Sequence, residues 1–293
     1  MNSQVIFKNK LLPVLLILPQ ILITLVFFIW PAFEALWQSF FIEDPMGFHQ
    51  HFVGLKNFAA LFASHAYLYS IVMTLVFSVC VTVLTMAGGL LFSVLVNRVT
   101  RGQKLYMLLL MWPYAVAPAV AGILLRFMFD PAIGIAPYLL RHVGIHWDYH
   151  VSAYQALLLI ILVAVWQQTS YSFLFYLAAL QGVPDSLHEA AAMDGANAWQ
   201  RFWHVTFPLL SPTTFFLVVM NMLYAFFDTF GIIQIVTQGG PANATQTLVY
   251  KVYNDGFVGL DFGSSAAQSV ILMLVIVGLM VIQFRVIEKR VHY

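Results

Sequence analysis

Hydrophobic positions along this chain fall in long continuous runs and do not alternate with polar ones. A bilayer core needs about 20 mostly apolar residues per helix. Six runs meet that length, at 11–33, 70–96, 105–129, 154–180, 209–236 and 266–284. They predict an all-α integral membrane protein with six transmembrane helices. The first run follows Lys8 and Lys10, as the apolar part of a signal peptide does. It is too long for one, and no small-x-small cleavage site follows Trp30-Pro31. It reads as a retained anchor helix.

Several runs carry residues that a plain anchor avoids. The third contains Pro113 and Pro118. Each removes a backbone donor and frees a carbonyl one turn earlier, so this helix is expected to kink or unwind. The kink serves packing or lies beside a moving cavity. In the fourth run Gln168, Tyr171 and Ser172 share a helical face, as Asn221, Tyr224 and Asp228 do in the fifth. These are candidate pathway residues, or else polar contacts between helices. An ionised Asp at mid-membrane costs about 2.5–3.5 kcal/mol. Asp228 is therefore expected to face protein or water, unless it sits near the outer interface.

Composition supports the membrane reading: 61% of the 293 residues are hydrophobic and 9% charged. The net charge of +1 gives no reason to expect nucleic acid. The placement of charge is more informative. Lys8, Lys10, Arg98, Arg101, Lys104, Arg201, Arg285, Lys289 and Arg290 fall on one side; Lys56, Arg126, Arg141 and Lys251 fall on the other. Positive residues stay inside, so both termini and the second and fourth loops are expected in the cytoplasm. Arg126 is placed to offset the charge of Asp228, or it snorkels to the interface. Cys80, the one cysteine, has no internal partner and reads as a packing residue. His142, His146 and His150 are spaced to stack on a helix, but Gly144 interrupts them and no second ligand cluster supports a metal.

The fourth loop, 181–208, is long enough for structure of its own and reads as helix, turn, helix. Pro184 suits a first turn, and Asp185 caps it or complements its dipole. Ala190, Ala191 and Ala192 favour helix while leaving a low-profile surface. Gly195 suits the left-handed residue that ends a helix. Asn197 with Gln200 resembles a capping box for a second helix, which is expected to bury Trp199, Phe202 and Trp203 before Pro208. A helix of about ten residues is marginal alone in water, so the loop docks either on a partner or on its own membrane helices.

Glu189-Ala-Ala-x-x-x-Gly195, followed by Val205-x-Phe207-Pro208, resembles the EAA loop of permease subunits in bacterial ABC importers. The resemblance implies a type I ABC importer permease fold over 11–293, after a cytoplasmic 1–10, in the bacterial inner membrane. It makes 181–208 the coupling loop, with Glu189, Ala190, Ala191, Asp194, Gly195 and Pro208 as its coupling residues. Thr237-Gln-Gly-Gly-Pro241 with Thr245 looks like the outer loop of the sugar-type group, which contains the maltose importer; Gly239, Gly240, Pro241 and Thr245 carry that mark. Pro113-Tyr-Ala-Val-Ala-Pro, Tyr224-Ala-Phe-Phe-Asp-Thr-Phe230 and Ser264-Ser-Ala-Ala-Gln-Ser-Val270 look most like the first permease subunits of sn-glycerol-3-phosphate importers.

That likeness implies translocation of sn-glycerol 3-phosphate by alternating access, with a neutral mono- or oligosaccharide as the alternative. The implied partners are a second homologous permease forming a heterodimer, two copies of an ABC ATPase, a periplasmic substrate-binding protein and membrane lipid. No cofactor is expected in this chain, because it has no G-x-x-x-x-G-K-[ST] loop; ATP and Mg belong to the ATPase. Nor is it expected to be an enzyme, since Asp228 has no intramembrane His beside it. An ion-coupled carrier or channel without an ATPase has no use for an EAA loop.

Overall fold

The computed structural model describes residues 11–43 and 50–287. Lys8, Lys10, Lys289 and Arg290, which carry part of the orientation argument, lie outside them. Four helices are individually long and apolar enough to span a membrane: Leu11–Gln38, His65–Asn97, Ala153–Gln181 and Phe262–Ile282. Two further helix pairs are long and apolar enough only when taken together, and each is bent. Gln103–Ala115 and Pro118–Met128 meet at 100°, and Ala198–Leu209 and Ser211–Asp228 meet at 66°. Counting each bent pair as one span gives six, the number expected, but the second pair begins at Ala198 and not at 209.

The chain forms two compact units. The first comprises the described parts of Met1–Ser64 and Val252–Met273. After the first span, the strands Phe41–Glu43 and Gln50–Phe52 pair antiparallel, with Phe41 opposite Phe52. The buried Asn57 amide donates to the carbonyls of Ser39 and Phe41, each at 2.9 Å. Gly263 passes so close to this turn that a Cβ there would meet the Phe41 carbonyl oxygen at 2.2 Å. Nearby, Gln268 Nε2 donates to Asp255 at 2.6 Å and Ser265 to the Val252 carbonyl at 2.8 Å.

The second unit comprises His65–Lys251 and the described residues of Leu274–Tyr293. Its centre is the packing of the second span on the fourth. The buried face of the second span carries Ser70, Thr74, Ser78, Thr82, Thr85, Gly89 and Ser93, at intervals of three or four residues. Inside a bilayer helices gain nothing by hiding apolar surface from water, so close approach over small residues takes over that role. At Gly89 the approach is tightest: an added Cβ would lie 2.6 Å from Ser172 Cβ and 2.9 Å from the Phe173 nitrogen.

Both bends have a backbone cause. Pro113 and Pro118 flank the first, where Val116 and Ala117 are extended and the helix restarts at Pro118. Pro208 and Pro212 flank Leu210 at the second, each lacking the N–H that would carry the helix through. The second bent pair thus starts with the helix 198–209, within the loop 181–208 for most of its length, and Pro208 lies within that helix. A π-helical turn at Tyr224–Asp228 widens the span farther on.

Candidate functional site

The break in the third span leaves the Val116 carbonyl without a helical partner. Gln167, on the fourth span, supplies one: its Nε2 donates a short hydrogen bond to that oxygen. Its Oε1 in turn accepts from the Tyr224 hydroxyl at 3.2 Å. One amide therefore joins the third, fourth and fifth spans. An unmet carbonyl in hydrocarbon costs several kcal/mol, so this amide satisfies a need created by the break.

Around this junction lies a cavity of about 460 Å³. Its polar lining is Tyr114, Gln167, Gln168, Tyr171, Tyr224 and Asp228, and the irregular segment 115–118 forms the rest of one wall. The Tyr114 and Tyr171 rings face each other with centroids 5.6 Å apart. Gln168, Tyr171, Tyr224 and Asp228, placed on helical faces by spacing alone, thus come together on one cavity. Asp228 sits at the end of the π-helical turn.

Asn221 departs from that expectation. It is fully buried, and its Nδ2 donates to Ser172 Oγ at 3.0 Å, at the place where Gly89 lets the helices close. Ser172 likewise points into packing and not into the cavity. The short Ser side chain cannot reach past the close helix contact, and the Asn amide takes the partner nearest to it. Arg126 does not line the cavity either; its Nη1 donates to the Ile235 carbonyl at 2.8 Å. Gln167 went unnoticed in the sequence beside Gln168. The available signal was Pro118, since a carbonyl freed in a membrane helix demands a donor from a neighbour.

The loop 181–208 is ordered by its own caps. Its first helix is Asp185–Met193, with Pro184 as N-cap and Asp185 in the first turn. Gly195 has φ of +82°; its N–H donates to Ala192 and that of Ala196 to Ala191, each at 3.0 Å, closing the helix end. Open space surrounds the Gly195 Cα, so backbone conformation alone calls for glycine. At the second helix Asn197 and Gln200 form the reciprocal capping box, both bonds 2.9 Å. Glu189, Ala190, Asp194, Gly195 and Pro208 are exposed and Ala191 is half-buried; Met193 is 89% exposed.

Trp199 and Trp203 correct the sequence reading. Expected in a core, they are 71% and 41% exposed and stack edge-on with ring centroids 5.6 Å apart. An apolar face that a soluble helix turns inward can face outward in a membrane protein, where Trp favours the interface.

The outer loop is a tied turn. Gly239 has φ of +77°, and a Cβ there would strike the Tyr250 ring at 2.7 Å, so it must be glycine on both counts. Thr245 donates to the Gly240 carbonyl at 2.8 Å and sits 2.8 Å from the Thr237 hydroxyl; the Gly240-Pro241 bond is cis. His142 ends the helix Ile135–His142, and Gly144 turns the chain with φ of +78°, so the three histidines do not stack. Among the described residues no group of three or more His, Cys, Asp or Glu could hold a metal ion.

A family model described as the inner membrane component of binding-protein-dependent transport systems matches residues 85–293. The chain is 58% identical over 291 residues to the sn-glycerol-3-phosphate transport system permease protein UgpA of Rhizobium meliloti (strain 1021), covering 99% of each. It is 57% identical to the protein of that name from Brucella suis biovar 1 (strain 1330), again covering 99% of each. For that of Yersinia pestis the figure is 52%, over 98% of this chain and 97% of the relative. Among solved structures, a bacterial alginate ABC transporter in complex with an alginate pentasaccharide-bound periplasmic protein superposes with a TM-score of 0.83 at 20% identity, covering 95% of this chain and 94% of that one. A bacterial ABC transporter involved in alginate import gives 0.80 at 21%, covering 95% and 97%. At those identities the likeness is one of fold. The chain is a transport component, not an enzyme, and belongs to the family of inner-membrane components of binding-protein-dependent transport systems.

Proposed function

We propose that this chain is one of two homologous permease subunits of an ATP-driven importer, and that the importer carries sn-glycerol 3-phosphate across the inner membrane. The observation that carries the substrate is identity of 52–58% over nearly the whole chain to relatives named for that transport system. Two copies of an ABC ATPase grip the importer from the coupling-loop side, and a periplasmic binding protein delivers substrate from the other. An exposed, self-capped helix with Glu189, Ala190 and Gly195 on its surface is the shape such a grip needs.

The cavity of Tyr114, Gln168, Tyr171, Tyr224 and Asp228 forms this subunit's half of the pathway. Its polar lining offers hydrogen-bond donors and acceptors with no cation among them. A path of this kind passes a dianion without trapping it, since conduction requires binding weak enough to leave. Ionised Asp228 adds repulsion, so selection falls mainly to the binding protein. ATP closes the ATPase pair, the coupling helices follow, and the pathway opens outward toward the receptor; hydrolysis returns it inward. The shift needs ATP and receptor to favour the outward state over the inward one.

The test is uptake of labelled sn-glycerol 3-phosphate by cells lacking this chain, with and without its restoration, the other subunits being present. Restored uptake that excess sugar leaves unaffected is the expected result. No restored uptake, from a protein that still co-purifies with its ATPase, keeps the machine and rejects the substrate.

A further inference from the structure

A second cavity, of about 200 Å³, lies on the coupling-loop side of the second unit. Its wall is assembled from separate segments. Arg98 and Asn97 come from the end of the second span, His188 from the first loop helix, and Arg201, Phe202 and Thr206 from the second. Among the described residues no acidic side chain lines it, and among them neither the Arg98 nor the Arg201 guanidinium has a hydrogen-bond or ion-pair partner. A preference for basic residues on this side of the membrane accounts for their number. It does not account for Arg98, His188 and Arg201 lining one hollow from three segments. Two arginines lining one hollow that no acidic side chain enters repel each other less when an anion joins them. Guanidinium matches phosphate oxygens in charge and geometry, while the Asn97 amide and Thr206 hydroxyl supply neutral donors.

The surroundings select the source of that phosphate. The second and fourth spans end beside the cavity, at Asn97 and Gln181. The helix that contributes Arg201 also presents the exposed Trp199–Trp203 pair, with Trp203 stacked on Phe207 at 4.9 Å. Stacked Trp side chains at the end of apolar spans mark the level of the lipid headgroups. Basic pockets between spans at that level accept acidic headgroups. We propose that this cavity binds the phosphate of an anionic lipid headgroup, which ties the coupling helix, through His188, to the ends of the second and fifth spans. Lipid phosphate is then a structural element of the coupling loop, present before any ATPase grips it.

Retention of lipid is read on the chain itself and does not depend on which solute the importer carries. The full chain is placed in nanodiscs of phosphatidylcholine containing phosphatidylglycerol, extracted, washed, and its retained lipid measured by mass spectrometry. Wild type is expected to keep phosphatidylglycerol in preference to phosphatidylcholine. Arg98→Gln combined with Arg201→Gln is expected to lower retention about tenfold or more, each cation near a membrane surface contributing roughly 1 kcal/mol. Arg101→Gln, on the same loop but outside the cavity, is the control and leaves retention unchanged. Ala198→Phe fills the cavity without altering charge and is expected to expel the lipid as well, which covers the case in which the double variant fails to fold. Equal retention by wild type and either cavity variant overturns the proposal, as does an equal loss in Arg101→Gln. Inorganic phosphate is added in a separate arm. If it displaces the lipid and binds lipid-free protein as well, the site belongs to free phosphate and the lipid assignment is wrong.

Discussion

At the cavity around Gln167, position is fixed by bonds between helices: Gln167 reaches to Val116 and receives Tyr224. In the coupling loop, position is fixed within a few residues, by the Gly195 turn and the Asn197–Gln200 box. Loss of one group at the cavity is felt in three spans. Loss of a cap in the loop is felt in one helix. The first arrangement suits a wall that must change shape as a unit. The second suits a handle that must keep its shape while something outside moves it.

The largest break in this contrast is expected from Ala190→Trp. Ala190 is exposed, so the variant should insert and unfold as wild type does while uptake falls about tenfold or more, the size of a typical coupling energy. Normal uptake by a stably inserted Ala190→Trp protein would remove Ala190 from the grip. Gln167→Leu comes next and acts in the opposite sense. It strands the Val116 carbonyl, which costs about 1–3 kcal/mol of stability, while the Tyr224 hydroxyl keeps the Ala164 carbonyl at 3.5 Å. Thermal unfolding in detergent should therefore occur at lower temperature, and an unchanged midpoint would show that the bridge contributes nothing.

Gly195→Ala should cost about 1–2 kcal/mol through its left-handed backbone, with no clash, since nothing lies within reach of the new methyl. Hydrogen exchange is expected to quicken in Asp185–Met193 and stay unchanged at the cavity. Asn197→Ala is the smallest effect. It removes one cap, about 1 kcal/mol, and should speed exchange only in the first turn of the following helix. Faster exchange at Gln167 in either loop variant would erase the distinction between wall and handle.

Much of this molecule was legible in its residues, for reasons that differ by region. The six apolar runs follow from solvation alone, and Pro113 and Pro118 announced the broken third span. Gly195, Asn197 and Gln200 declared the caps because capping is a local chemistry of a few adjacent residues. What stayed hidden depends on partners far apart in sequence. Gln167 and Val116 are 51 residues apart, and no pattern in either segment names the other. Asn221 shares a helical face with Tyr224 in the sequence, yet Ser172 takes its amide first. The seven small buried residues of the second span read as unremarkable apolar run until Gly89 meets Ser172. The outward Trp199 and Trp203 were misplaced because amphipathic reasoning assumes water on the polar side and protein on the other. Pro208 alone is read as either stopping the loop helix or opening the next span; Pro208 and Pro212 together make the bend at Leu210.

The bond from Gln167 to Val116 also sets a condition on opening. In a resting helix the backbone carries its own solvation with it as it tilts. Here the carbonyl depends on a side chain of another span, so any movement that parts the two spans leaves that oxygen bare. Bare carbonyls are not tolerated in hydrocarbon; the oxygen must then be wetted or meet a hydroxyl of whatever is passing. Parting of these two spans and wetting of the Val116 carbonyl are therefore one event.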